Sequence, residues 1–329
     1  PENIKKNQTS NKHIFLNFKR NRVTFFNNFL LILKFIIIIY KEKPKIVLSY
    51  TIKPVIIAGL CQYIFSYKFF PMITGLGNTF YPKNFREQIL RYIIHKIYKI
   101  SISKKSNIIF QNTNIKEYFI NYKLCYKKQN NIVTNGSGVN LNLYPFSKTF
   151  PKTFTFLMIA RIIKPKGIIE YIEACNLLKK KQMNIIFKLI GPYENSSYSL
   201  NKDEIKKLNY NNAVECIGFK EDITNEIKEC SVFVLPSYHE GMPRSVLEAL
   251  SIGRPIITTN IPGAKETVKD KINGFLIEKE NTLDLLEKMK WFIDNQDSIK
   301  KMGYESFKLA LEKFNVKLIN KKIINFMDL

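Results

Sequence analysis

The sequence predicts an α/β protein with two doubly wound, Rossmann-like parallel-sheet domains that face a cleft. Short apolar runs alternate with helix-like periodic segments along the chain, which is typical of βα units. A length of 329 residues, 45% of them apolar, suits two domains of about 150 residues, each with its own core. Glycines and prolines interrupt both periodicities between 136 and 151, which indicates a domain boundary there.

The elements follow from these patterns in chain order. In the first half, runs rich in Ile, Val and Phe predict strands over 46–50, 69–74, 107–111 and 131–134, with helices over 25–41, 54–66, 84–103 and 112–122. In the second half, strands are predicted over 154–160, 185–190, 214–217, 232–235, 256–259 and 275–277. Helices are predicted there over 167–181, 202–208, 222–229, 243–252, 263–269, 282–295 and 297–313.

We therefore expect an incomplete first domain over residues 1–140 and a second domain over 141–314. A last helix is predicted over 315–327, after the second sheet is complete. We expect residues 315–329 to pack back on the first domain. Because parallel sheets bind ligands at the carboxyl ends of their strands, two such domains would hold a ligand between them.

The charge of the chain is strongly one-sided. Residues 1–150 carry 24 Lys and Arg against 4 acidic residues, a net +20, whereas residues 151–329 carry 28 against 23, a net +5. Such a field suits a polyanionic partner: anionic lipid, nucleic acid or a diphosphate-bearing substrate. Biased composition, with Lys, Asn and Ile enriched together, is the alternative explanation for the total.

Cysteine usage and hydropathy narrow the class of protein. The five cysteines form no C-x-x-C pair, so they predict neither a zinc site nor a disulfide framework, and a reducing compartment fits. The most apolar run, residues 29–40, is interrupted by Lys34 and is shorter than the roughly 20 residues that span a bilayer. A buried or interfacial helix is expected there. No signal peptide is visible at the start.

Two glutamates mark the strongest candidate site. The segment 237–248, SYHEGMPRSVLE, follows the apolar run 232–235, as in a strand that leads into a helix. Pro243 fits the first helical position, so Glu240 and Glu248 can face one cleft. A helix start of this kind favours a diphosphate, bound by the backbone amides of Gly241, Met242, Arg244 and Ser245. The alternative is that the acidic residues only cap and solvate a helix.

Other loops at the carboxyl ends of strands add candidates. Arg161 and Lys166 follow the strand over 154–160, and together they can clamp a diphosphate. Surface solvation is the alternative for a single basic loop. Three residues after two other strands could line a nucleotide pocket, or serve only as turns: Gly191, Gly218 and Phe219. The segment 74–80, TGLGNTF, would face the cleft from the first half, with Gly75, Gly77 and Asn78 on the acceptor side.

Several motifs are missing from the sequence. It contains no G-x-x-x-x-G-K-[ST], no H-E-x-x-H, no Asp-x-Asp and no Ser/His/Asp hydrolase elbow. P-loop hydrolysis, zinc proteolysis and metal-dependent sugar transfer therefore lack support. We expect no metal and no cofactor.

Four motifs resemble glycosyltransferase family 4, the retaining enzymes of GT-B fold. They are the segments 156–167 (FLMIARIIKPKG), 233–249 (FVLPSYHEGMPRSVLEA), 253–263 (GRPIITTNIPG) and 273–276 (NGFL). The first half more weakly resembles the capsule and lipid-linked oligosaccharide branch, through 49–54 (SYTIKP), 74–77 (TGLG) and 135–140 (NGSGVN).

The resemblance implies roles for the candidate residues. Arg161 and Lys166 would stabilise the leaving nucleoside diphosphate without a metal. Glu248 would bind the ribose hydroxyls, and Glu240 would face the transferred sugar, assisted by the amides of Gly241 and Met242. Family members begin with a strand, a glycine-rich loop, a helix and a second strand, so roughly 50 N-terminal residues are expected to be missing from this chain.

The expected function is transfer of a hexose or N-acetylhexosamine from a nucleotide sugar, with UDP as the family-level expectation. The acceptor would be a polyprenyl-diphosphate-linked or other glycan in surface polysaccharide or glycoprotein glycan synthesis. The expected location is cytoplasmic, on the anionic inner face of the plasma membrane. Two alternatives stay open: a catalytically impaired sugar-nucleotide-binding fragment, and a basic nucleic-acid-binding protein, for which no recognisable module is present.

Overall fold

The computed structural model describes residue 14 and residues 25–75, 85–179, 184–194 and 198–329. Within these ranges the chain forms two separate sheets in which every strand pairing is parallel. The strands are β1 Ile46–Tyr50, β2 Lys68–Ile73, β3 Ile108–Phe110, β4 Asn131–Val133, β5 Phe154–Ile159, β6 Ile185–Ile190, β7 Val214–Gly218, β8 Val232–Leu235, β9 Ile256–Thr259 and β10 Gly274–Ile277. Each predicted strand is present, and its ends differ from the prediction by at most one residue.

The helices alternate with these strands. They are α1 Phe25–Glu42, α2 Ile52–Cys61, α3 Phe85–Ser101, α4 Thr113–Asn121, α5 Ile168–Lys179, α6 Lys202–Leu208, α7 Thr224–Lys228, α8 Arg244–Ile252, α9 Thr282–Asp294, α10 Ser298–Leu309 and α11 Val316–Met327. Within the described ranges, no helix combines the length and the apolarity needed to cross a membrane.

The first sheet has the order β1-β2-β3-β4 and is covered on both faces. Side chains of a strand alternate between the two faces. On β2, Phe69 and Ile73 pack with α2, α3 and α4, whereas Phe70 and Met72 pack with α11. The side chains that α11 contributes are Ile319, Ile323 and Met327.

The second sheet has the order β10-β9-β8-β5-β6-β7. The chain moves from β5 outward to β6 and β7, then returns to the other side of β5 with β8. The strand order therefore reverses between β5 and β8, where Phe156 pairs with Val232 and Leu157 with Phe233. Ligands of open α/β sheets bind at the carboxyl ends of strands at such a switch point.

Two helix predictions were wrong. Residues 263–269 form only a short 3-10 turn over Lys265–Thr267, because Gly263 has φ of +88° and donates its N–H to Glu266 Oε2 at 2.7 Å. The second helix was predicted over 54–66, but α2 begins at Ile52 and ends at Cys61, five residues before the predicted end. A proline is tolerated within the first turn, where its missing N–H has no intrahelical partner to lose.

Candidate functional site

The loops after β5 and β8 pack directly against each other. After β5 the chain makes a 3-10 turn over Lys164–Lys166 and then enters α5 through Gly167, which has φ of +75°. A Cβ on this glycine would lie 2.1 Å from Pro236 O. A hydrogen bond also joins the two loops, because Tyr238 N, after β8, donates to Pro165 O, after β5, at 2.9 Å. Backbone contacts therefore fix one loop against the other.

This packing brings Lys166 to Glu240. Lys166 Nζ lies 2.5 Å from Glu240 Oε1, and the side chains are only 18% and 8% exposed. Two residues that are 74 positions apart in sequence thus form a shielded ion pair at the switch point. The sequence predicted that both lie at this edge of the sheet, but not that they pair.

Arg161 lies in the same loop but has a different partner. Its Nη1 donates to both carboxylate oxygens of Glu194, at 3.0 and 3.1 Å. Glu194 follows β6, so this contact links the ends of β5 and β6. Sequence reasoning gave Glu194 no role, and no local signal distinguishes it from a solvated loop acid.

The start of α8 differs slightly from the prediction. Pro243 is the N-cap with extended backbone, and the helix begins at Arg244, so the prediction of Pro243 as the first helical residue was wrong by one position. The amides of Val246 and Leu247 both donate to Pro243 O at 3.2 Å. The N–H groups of Arg244 and Ser245 precede these and have no intrahelical acceptor. They lie at the edge of the sheet because Ser245 Oγ donates to Ile159 O of β5 at 3.0 Å.

Glu248 lies on the inner side of α8 and is buried. It accepts from Arg244 Nε at 3.0 Å and from the Tyr144 hydroxyl. Burial raises the pKa of Glu248, and the hydrogen bonds from Tyr144 and Arg244 oppose that rise. Burial and the neighbouring carboxylate raise the pKa of Tyr144 to about 12. Tyr144 was not predicted, because it lies in the linker between the sheets.

A buried carboxylate also supports the loop of Glu240. Tyr238 donates its hydroxyl to Glu170 Oε1 at 2.6 Å, and burial together with Glu170 raises the pKa of Tyr238. Glu170 lies in the first turn of α5, just after the Lys166 loop. Helix α5 thus contacts the loop after β8, a contact that the sequence did not indicate.

The first half of the chain reaches this site from the opposite side. Asn112 Nδ2 donates to Gly241 O at 2.7 Å, while its Oδ1 caps α4 by accepting from Ile115 N at 2.8 Å. A Cβ on Gly241 would lie 2.2 Å from Thr74 O. Gly75 also lies beside Gly241, whereas the predicted acceptor-side residues Gly77 and Asn78 fall outside the described residues.

Gly191, just after β6, and Gly218, the last residue of β7, lie close to the carboxyl end of β5. Gly191 N donates to Gly218 O at 2.9 Å, and a Cβ on Gly191 would lie 1.7 Å from Ala160 O. Gly191 therefore has a packing role. Phe219 follows Gly218 and is exposed.

Gly167 and Gly218 form a matched pair for a stability test. Both have positive φ, +75° and +85°, but a Cβ meets Pro236 O at the first and nothing within 4 Å at the second. We expect Gly167→Ala to lower the free energy of unfolding more than Gly218→Ala, which bears only the left-handed strain of about 1 kcal/mol. Urea denaturation measures the difference. Equal losses would contradict the role of the close approach at Gly167.

No group of three or more His, Cys, Asp or Glu side chains within the described ranges is arranged to hold a metal ion.

The chain has two Rossmann-like parallel sheets. At the switch point of the second sheet, helix α8 presents an N-terminus that can bind phosphate. This arrangement is that of the GT-B class. A solved structure of this fold, Anabaena HepE in complex with UDP, matches with a TM-score of 0.73 at 17% identity, over 91% of this chain and 82% of that one. The prediction of a GT-B fold is confirmed.

Residues 143–309 match the family model described as glycosyl transferases group 1, and the chain belongs to this family. One relative is the N,N'-diacetylbacillosaminyl-diphospho-undecaprenol alpha-1,3-N-acetylgalactosaminyltransferase of Campylobacter jejuni, 31% identical over 69% of this chain and 61% of its own length. Another is the capsular polysaccharide biosynthesis glycosyltransferase CapM of Staphylococcus aureus, 28% identical over 90% of this chain and 80% of its own length.

Proposed function

We propose that this chain is a retaining glycosyltransferase of family 4 that transfers a hexose or N-acetylhexosamine from a UDP-linked donor to a lipid-linked glycan. The observation that carries the proposal is the shielded pair of Lys166 and Glu240 beside the start of α8. The named substrate of the Campylobacter relative, a diphospho-undecaprenol saccharide, supports the acceptor class. The UDP bound by HepE supports the donor class.

The two cations would act on the donor diphosphate. When the bond between the anomeric carbon and the phosphate oxygen breaks, negative charge develops on the leaving UDP. Fixed cations stabilise such charge most strongly in a water-poor site. Lys166 would supply this charge from a shielded position, and Arg161 would add a second cation. No metal forms part of the proposal.

The remaining donor contacts would bracket the nucleotide. The first-turn amides of α8, together with those of Gly241 and Met242, would bind phosphate oxygens. Glu248 would accept hydrogen bonds from the ribose hydroxyls. The base would lie among the loops after β6 and β7, between Gly191, Gly218 and Phe219.

Glu240 would face the sugar ring across from the acceptor. The acceptor hydroxyl would attack the anomeric carbon on the face that UDP leaves, so that configuration is retained. Its proton would pass to the departing phosphate oxygen. We propose that Gly75, Gly77 and Asn78 border the acceptor, and that the protein works at the anionic cytoplasmic face of the plasma membrane.

A transfer assay tests this function. The chain would be incubated with UDP-sugars and polyprenyl-diphosphate-linked saccharides, with UDP release and the anomeric configuration of the product as readouts. Transfer with retention supports the proposal. UDP binding without transfer would overturn the catalytic role in favour of a sugar-nucleotide-binding fragment. Salt-dependent nucleic-acid binding without nucleotide affinity would overturn both.

A further inference from the structure

Asn112 reaches from the first half of the chain into the loop that carries Glu240. Its side chain is only 1% exposed, and its two polar atoms have different partners. Oδ1 accepts from Ile115 N at 2.8 Å and so caps α4, whereas Nδ2 donates to Gly241 O at 2.7 Å. Since Ile115 N can only donate and Gly241 O can only accept, the two contacts fix the orientation of the amide. Asn112 therefore does more than cap a helix.

The carbonyl that Asn112 binds belongs to the peptide group between Gly241 and Met242. This peptide is trans, and the C=O and N–H bonds of a planar trans peptide point in opposite directions. The hydrogen bond that holds Gly241 O therefore also sets the direction of Met242 N–H, which points away from Asn112. Among the described residues, no group accepts a hydrogen bond from Met242 N.

Close backbone contacts enclose the same peptide group. A Cβ on Gly263 would lie 2.4 Å from Gly241 O, and a Cβ on Gly136 would lie 2.5 Å from Met242 Cγ. On the other side, a Cβ on Gly241 itself would lie 2.2 Å from Thr74 O. This packing limits the position of the peptide group, and the hydrogen bond from the Asn112 amide sets its rotation.

The start of α4 makes a second contact with the other half of the chain. Asn114 Nδ2 donates to Glu266 Oε1 at 2.8 Å, and Glu266 Oε2 accepts from Gly263 N at 2.7 Å. The contact of Asn114 joins the same two halves from the same helix, but it ends on the turn after β9 rather than on the Gly241 carbonyl. Asn114 is therefore a matched control for Asn112.

We propose that Asn112 is a positioning residue for binding of the nucleotide sugar. It acts through the peptide group between Gly241 and Met242, whose rotation it sets so that Met242 N–H faces the diphosphate. The inference rests on the proposed function for the identity of the ligand, a nucleoside diphosphate whose oxygens accept from backbone amides at the start of α8. The hydrogen bond between Asn112 and Gly241 itself requires no ligand.

Binding of UDP to the full chain, measured by titration calorimetry, tests the proposal. Asn112→Ser keeps an oxygen that can cap α4 but removes the amide that donates to Gly241 O. We expect Asn112→Ser to weaken UDP binding roughly fivefold to tenfold. In the transfer assay, the KM for the UDP-sugar should rise with it, while the KM for the acceptor stays unchanged. Asn112→Asp keeps the shape and the cap without the N–H group, so its loss should be at least as large.

Hydrogen exchange provides a measurement that needs no ligand. Without nucleotide, the segment 237–247 should exchange faster in Asn112→Ser than in the wild type, because the peptide group between Gly241 and Met242 has lost a hydrogen bond that held it. Addition of UDP should protect this segment in the wild type and protect it less in the variant.

Two control variants isolate the hydrogen bond to Gly241. Asn114→Ala removes the contact with Glu266 and should leave the affinity for UDP unchanged. Asn281 caps α9 by accepting from Asp284 N at 3.0 Å, so Asn281→Ser makes the same substitution at a cap that is far from Gly241 in sequence and should also leave the affinity unchanged. Thermal melting shows that each variant is folded.

The outcomes separate this inference from the proposed function. Wild-type affinity for UDP in Asn112→Ser, a loss confined to Asn112→Asp, or an equal loss in Asn114→Ala would overturn the inference and leave the proposed function intact. A wild-type chain that binds no UDP would overturn the proposed function, and with it the role of Met242 N–H. Unchanged exchange of the segment 237–247 in Asn112→Ser would show that packing alone holds the peptide group.

Discussion

Lys166→Ala is expected to lower the turnover number kcat for sugar transfer by roughly 100- to 1,000-fold, the range found when one preorganised electrostatic group is removed. Lys166 is shielded from water beside Glu240, so in the proposed reaction its charge would act strongly on the leaving diphosphate. The substitution also leaves the Glu240 carboxylate without this partner, and its negative charge would then oppose the donor. Initial rates of UDP release at saturating donor and acceptor measure the effect.

Variants of both members of the pair separate charge from packing. Glu240→Gln keeps the shape of the side chain and removes its charge, so we expect a loss in kcat together with a loss of thermal stability, because Lys166 is left shielded without its counter-charge. Because the two groups share one interaction, the loss of kcat in the double variant, expressed as a free energy, should differ from the sum of the losses in Lys166→Ala and Glu240→Gln. Full activity in both single variants would contradict the proposed site.

Lys188 is a suitable control for this experiment. It pairs with Glu226 at 3.2 Å, and the two side chains are 18% and 13% exposed, close to the values for Lys166 and Glu240. Lys188 lies within β6 rather than in a loop at the carboxyl edge. Glu226 also contacts Lys220 and keeps that partner in Lys188→Ala. Lys188→Ala should therefore lower stability only modestly and leave kcat within about twofold, because the shielded pair that it breaks lies outside the site. A large loss of kcat in this variant would show that broken ion pairs disturb the site indirectly.

The strands were predictable from the sequence because buried parallel strands are continuous runs of β-branched and aromatic residues. The placement of Lys166 and Glu240 at one edge followed from their positions after β5 and β8. Their pairing did not, because it depends on which strands are neighbours in the sheet. The same reason applies to Glu194, whose contact with Arg161 requires β6 to lie beside β5.

Contacts between the first and second halves of the chain could not be predicted from the sequence. Asn112 has the ordinary signature of an N-cap, yet its amide nitrogen reaches Gly241 on the other sheet. Tyr144 is one residue of an irregular linker, and only the folded chain brings it to Glu248. The helix predicted over 263–269 does not form, since Gly263 adopts a left-handed conformation. The hydrophobic periodicity of the sequence does not reveal such a conformation.

Arg254→Met is expected to lower the free energy of unfolding of the second domain by about 3–5 kcal/mol, because it removes a fully buried group on which several segments depend. The guanidinium donates to Ile227 O at 3.0 Å, Thr149 O at 2.8 Å and Lys228 O at 2.9 Å. Its Cζ also lies 4.1 Å from the centre of the Phe150 ring. Methionine fills part of the volume but leaves these carbonyls without their donor.

The single tryptophan makes this loss measurable in one domain. Trp291 packs edge-on against Phe275, with 4.7 Å between ring centres, so its fluorescence follows unfolding of the second domain. Arg254→Lys should give an intermediate loss, because one ammonium group cannot reach acceptors that the planar fork of arginine reaches together. Lys301 is exposed, and Lys301→Met should change stability by no more than about 0.5 kcal/mol.

Burial lowers the pKa of Arg254, which reflects the cost of enclosing a cation. That cost is offset only while the carbonyls of Thr149, Ile227 and Lys228 remain in place around it. The arginine thus joins the linker that enters the second domain to the end of α7 and to the turn after α8, the helix whose first turn lies at the candidate site. If Arg254→Met unfolded within about 1 kcal/mol of the wild type, the desolvation cost would equal the hydrogen-bond energy, and the linker would be held by apolar packing instead.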